Sequence, residues 1–143
     1  MRDYNTDFAL WAREQAARLR AGAADLDRDN IAEELEALAR ALHGELDERM
    51  ARLIQSLLQW SLLEGDRQPR WYVTIQEERD MIPRLLADAP SLRQDWPETL
   101  TRAWRRAQDD ACDATGLTRA LMPSACPFTS EQILDTAFWP GQP

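Results

Sequence analysis

The sequence predicts an all-α protein: a helical bundle built on one long central helix, with short helices in its C-terminal third. Three observations carry this. From residue 7 to 64 and again from 71 to 111, apolar residues recur every three or four positions, the spacing that places them on one face of a helix. No segment alternates apolar and polar residues with period two for long enough to form a strand. Between residues 25 and 64 there is no proline and a single glycine, Gly44, so nothing forces the chain to turn there.

The first helix is expected over 6–20. Thr6 is placed to cap it, Asp7 sits favourably at its positive end, and Phe8, Trp11, Ala12, Ala16 and Leu19 share a face. Gly22 ends it with a residue free to adopt left-handed geometry. The long helix is expected over 27–64, with Asp27 as N-cap and Leu26 and Ile31 at the spacing of a hydrophobic staple. Its stripe runs Ile31, Leu35, Leu38, Leu42, Leu46, Met50, Leu53, Leu57 and Trp60, and acidic residues and arginines fill the opposite side. Three successive steps of four from Leu38 to Met50 drift from a heptad and predict unwinding or a break near Gly44. Unbroken, the helix would reach about 50 Å, so it should bend or offer an exposed end to another subunit.

Gly65 to Pro69 reads as a turn, and helical periodicity resumes over 71–87 through Trp71, Ile75, Met81 or Ile82, and Leu85, with Pro83 expected to kink or interrupt it. Pro97 then stands at the first position of a helix over 97–115, where its missing N–H costs nothing; Leu100, Ala103, Trp104, Ala107 and Ala111 are its apolar side, and Gly116 closes it. Thr129 with Gln132 makes a capping box and Phe128 with Ile133 a staple, opening a last helix over 130–137, after which Phe138 and Trp139 fold back.

The bulk numbers narrow the function. A chain of 143 residues is most simply one domain, 1–143. A net charge of −8 argues against nucleic acid or an anionic membrane as partner and favours a basic protein surface. All 17 basic residues are arginine, which removes Schiff-base lysines, P-loop lysines and lysine bases. No signal-peptide core or run of about 20 apolar residues is present, so a cytoplasmic location is expected. Cys112 and Cys126, with His43 the only histidine, make no zinc pattern and are expected as reduced, buried thiols.

Tyr4, Asp7, Trp11 and Gln15, then Asp27-x-x-Asn30-x-x-Glu33-Glu34, Leu57-Leu58-Gln59-Trp60, Trp71-x-x-Thr74-Ile75 with Arg79, Pro90-Ser91-Leu92, Thr115-Gly116-Leu117, Cys126-Pro127 and Ile133-Leu134-Asp135 follow one another in an order that resembles the bacterial family called domain of unknown function number twenty-nine. The resemblance covers nearly the whole chain and implies an all-helical cytoplasmic domain with no assigned activity. It also implies a histidine and a lysine where this chain has Ser56 and Gln59.

Asp25, Asp27, Asp29 and Glu36 match an EF-hand loop at positions one, three, five and twelve, with Asn30 in place of the glycine at six. The same stretch reads as the capped acidic start of an amphipathic helix, and a helix begun near Arg28 leaves no calcium loop. The better candidate is a groove. Asn30 and Glu33 share a helical face, and with Asp27, Glu34 and Trp71 they could meet Arg79 from the next helix, either to hold a ligand or partner or as a buried ion pair that fixes packing. No cofactor or metal is expected. Trp11, Trp60 and Trp104 are expected in the core, and Trp71 and Trp139 could be exposed anchors. The functional expectation is a helical protein-interaction domain with an acidic face, acting on a basic partner or as a homodimer. An enzyme or ligand-binding protein using the carboxylate-Asn-Arg groove is the alternative.

Overall fold

A computed structural model describes residues 3–142. It contains five α-helices, α1 (Phe8–Arg20), α2 (Arg28–Leu62), α3 (Pro69–Asp88), α4 (Trp96–Thr115) and α5 (Ser130–Leu134), with short 3-10 turns at Glu64–Asp66, Pro90–Arg93 and Arg119–Leu121. There is no strand among the described residues. The chain divides into two compact units, one ending at Leu42 and the other beginning at His43, and α2 contributes its first part to one and the rest to the other. Gly44 does not break α2: one internal glycine costs about 1 kcal/mol, which a 35-residue helix absorbs.

In the first unit a turn over Asp3–Thr6 moves the start of α1 one residue past the expected Thr6. Asp7 is the cap, and its side chain accepts from the Leu10 N–H at 3.0 Å. Gly22 takes φ 68°, letting the Ala23 N–H reach back to the Arg18 carbonyl at 3.0 Å and close the helix. Only Trp11 and Gln15 of α1 are buried. Tyr4 and Phe8 pack edge-on and tilted against the Trp11 ring.

The second unit holds the hydrophobic core. Leu46, Met50, Leu53, Ile54, Leu57 and Leu58 of α2 meet Ile75, Ile82 and Leu86 of α3, and Ala103, Trp104, Ala107 and Ala111 of α4. The alanines on α4 recur at four-residue spacing, so this helix presents a flat side to the larger residues facing it. Pro83 lies exposed, and α3 runs through it from Pro69 to Asp88 with the ring kept clear of the core. Gly116 at φ 77° ends α4 as expected. Beyond it Met122 and Ile133 are buried in the same core, and Cys126, Phe128, Leu134 and Trp139 pack against it. The Thr129–Gln132 capping box forms in both directions, but α5 stops at Leu134 and not at 137.

Candidate functional site

Three of the residues predicted for a groove come together at the start of α2, where they act as a clasp. The Asp27 carbonyl accepts the first bond of the helix, from Ile31. One of its carboxylate oxygens accepts from Asn30 Nδ2 and from Trp11 Nε1, each at 2.9 Å, while the Asp27 N–H donates to Gln15 Oε1 at 2.9 Å. The Asn30 bond, followed by that from Trp11, holds the Asp27 carboxyl below its ordinary value. The Tyr4 hydroxyl donates to Glu34, and that bond pushes the phenol's pKa up. α1 is thus fastened to the beginning of α2 by charge-assisted bonds around one aromatic cluster. Glu33 lies apart from this clasp, exposed on α2 beside Arg40 at 3.4 Å. Because α2 begins at Arg28, it occupies the stretch an EF-hand would need as loop. No group of three or more His, Cys, Asp or Glu among the described residues is placed to hold a metal.

Arg79, the cation of the expected groove, is committed within the second unit. Its Nε donates to the Ile133 carbonyl at 2.8 Å, Nη1 to the Phe138 carbonyl at 2.8 Å and Nη2 to the Gln132 carbonyl at 3.0 Å. Two of these carbonyls belong to the last turn of α5, where helix geometry leaves acceptors without partners. A planar guanidinium fork suits three converging oxygens better than any other side chain. Burial pulls the Arg79 pKa down, and Asp135 nearby partly offsets it. The sequence signal for this role was the missing glycine after α5: a short helix with no left-handed cap needs donors from elsewhere.

The two tryptophans expected as free anchors are engaged as well. Trp71 is buried at the start of α3. Trp139 stacks on Tyr72 with ring centroids 5.1 Å apart and planes within 10°, lies 5.0 Å from Trp60, and carries the Arg79 guanidinium 5.6 Å above it. His43 is half-buried on α2, and Cys112 and Cys126 are half-buried free thiols, the burial of Cys126 raising its pKa. Arg102 and Arg106 pair with Asp47 and Asp110, so the basic residues around Trp104 do not form an open cationic patch.

What the first unit leaves uncovered is apolar. Leu35, Leu38 and Leu42, on the apolar stripe read from the sequence, are 62%, 65% and 40% exposed along one side of α2, and Phe8 and Leu19 are about half exposed on α1. Ala32, Ala39 and Ala41 are exposed beside the stripe, and Asp29, Glu33 and Glu36 lie on the same turns. Periodicity reads this segment as a core face because it registers spacing alone and not what, if anything, covers the face.

Fold and surface together define a class: an all-helical protein with buried polar fasteners and an uncovered leucine stripe. The chain belongs to the family described as Domain of unknown function DUF29, whose model matches residues 4–139. No curated protein and no solved structure matches it. Among the described residues no helix is long and apolar enough to cross a membrane.

Proposed function

We propose that the protein works by binding another protein through the stripe Leu35, Leu38 and Leu42 on α2. The observation that carries this is the exposure of three leucines at helical spacing on one face, in a unit whose α1 buries only Trp11 and Gln15. Grouped apolar side chains of this kind cost solubility and mark contact surfaces, whereas singly scattered ones do not. The partner that fits presents an apolar helix face, as in helix-in-groove recognition, bordered by arginine or lysine to meet Asp29, Glu33 and Glu36.

The test is affinity capture from nuclease-treated native lysate, run beside sedimentation equilibrium of the purified chain. A stoichiometric partner lost in Leu35→Glu/Leu38→Glu, and weakened in Glu33→Arg/Glu36→Arg, supports the reading. A doubled mass that reverts with the leucine pair would assign the stripe to a second copy of the chain. A partner that both double variants retain would overturn it.

A further inference from the structure

In the second unit, Arg52, Ser56 and Gln59 of α2 and Arg70, Trp71 and Thr74 of α3 line a hollow of about 420 Å³. This lies within the range of small-molecule sites, about 300–1,000 Å³. Its chemistry is one-sided. Two guanidinium groups, two hydroxyls, the carboxamides of Gln55 and Gln59 and an indole line it, and no carboxylate does. Ser56 is 6% exposed and lines the hollow. Gln59 is 3% exposed; its Oε1 accepts from Gln55 Nε2 at 2.8 Å, which leaves its own amide hydrogens to donate. Among the described residues Arg70 forms no ion pair, and Arg52 pairs with Glu78 at 3.6 Å. The hollow also opens on the first turns of α3, whose N-cap Gln68 makes no side-chain capping bond and whose first turn holds no acidic residue. The first turn of a 20-residue helix, which favours negative charge, therefore borders the hollow.

In a protein of net charge −8, two hydroxyls, a carboxamide N–H, two arginines and the first turn of a helix lining one space suit an anionic occupant. We propose that this hollow binds a small phosphorylated molecule, its phosphate held by Arg52 and Arg70 and met from the floor by Ser56, Thr74 and Gln59. A carboxylate has about four lone-pair sites. Five donor side chains, three of them able to donate at least twice, exceed that, and a phosphate dianion with three terminal oxygens matches them better. The site is separate from the leucine stripe, so it stands or falls independently of the proposal above. A larger hollow of about 780 Å³ lies beside α4. Its Gln108 already donates to the Pro123 carbonyl at 2.9 Å and accepts from Arg119 at 3.0 Å.

The experiment is a titration of the ¹⁵N-labelled full chain with inorganic phosphate, and with acetate at matched ionic strength, following side-chain N–H signals by two-dimensional NMR. Saturable shifts at the Gln59 amide and the Arg70 guanidinium are expected with phosphate and not with acetate. Arg70→Gln should weaken binding about tenfold and Ser56→Ala several-fold, while Arg105→Gln in the larger hollow changes nothing. Arg70 is exposed and unpaired, so its variant keeps the fold, which circular dichroism checks directly. Linear, unsaturated shifts would overturn the proposal. So would an Arg105→Gln loss equal to that of Arg70→Gln, or acetate binding as tightly as phosphate.

Discussion

Arg79 is the residue whose environment says most about the fold. It is 3% exposed, and its guanidinium donates to carbonyl oxygens of α5 and the segment after it, with the Trp139 ring beneath it and Asp135 nearby. Hydrogen bonds from a charged donor to buried acceptors carry more than neutral ones, and removing the donor strands the acceptors. Arg79→Met should therefore lower stability by roughly 3 kcal/mol in urea unfolding. Arg79→Lys should recover only part of it, because a tetrahedral ammonium cannot reproduce the planar fork. A loss below about 1 kcal/mol for Arg79→Met would mean the tail is held by apolar packing alone. Asp27 gives a prediction in pH. Its pKa lies below the ordinary 3.8 in the folded protein, so its stabilising contribution is present above that value and is lost as pH falls through the folded pKa. Acidification below about pH 4 should release the α1–α2 clasp, seen as a change in Trp11 fluorescence in a chain whose other tryptophans are replaced, and Asp27→Asn should remove that transition.

At the scale of the element, α2 carries two different surfaces on one periodicity. Leu46→Ala falls on a fully buried side chain and should cost about 2–5 kcal/mol. Leu38→Ala, eight residues earlier on a helix of the same pattern, should change the melting free energy by no more than about 0.5 kcal/mol while weakening any partner contact. Equal costs at the two positions would show that the stripe is covered in solution. This contrast also explains what could be read from the chain. Every helix was legible, since spacing, Pro97 near a helix start, Gly22 and Gly116 at ends, and the Thr129–Gln132 box are all local signals, although Pro69, read as part of a turn, in fact opens α3. The start of α2 was legible for the same reason, down to Asp27. The pairing of Arg79 was not, because its acceptors are backbone groups 53 to 59 residues away, identical in every sequence. The hollow around Ser56 was equally hidden: three motif positions, Gln59, Trp71 and Thr74, line it, yet only the packing of α2 on α3 brings them together.

For the molecule as a whole, the division into two units predicts uneven stability. The unit ending at Leu42 buries little of α1 and leaves leucines of α2 in water, while the unit from His43 on contains the entire buried cluster beginning at Leu46. Local opening free energy follows buried contacts, so amides at 31–41 should exchange with deuterium far faster than those at 50–60 of the same helix. Hydrogen exchange read by mass spectrometry checks this, and even protection along α2 would contradict it. Arg79 adds a consequence in time. A ribosome adding about 5–20 residues per second emits α3 roughly 3–12 seconds before the carbonyls that Arg79 needs. For that interval the Arg79 guanidinium stays without the carbonyl acceptors it holds in the folded chain, and the place where it will be buried waits on the segment around Ile133.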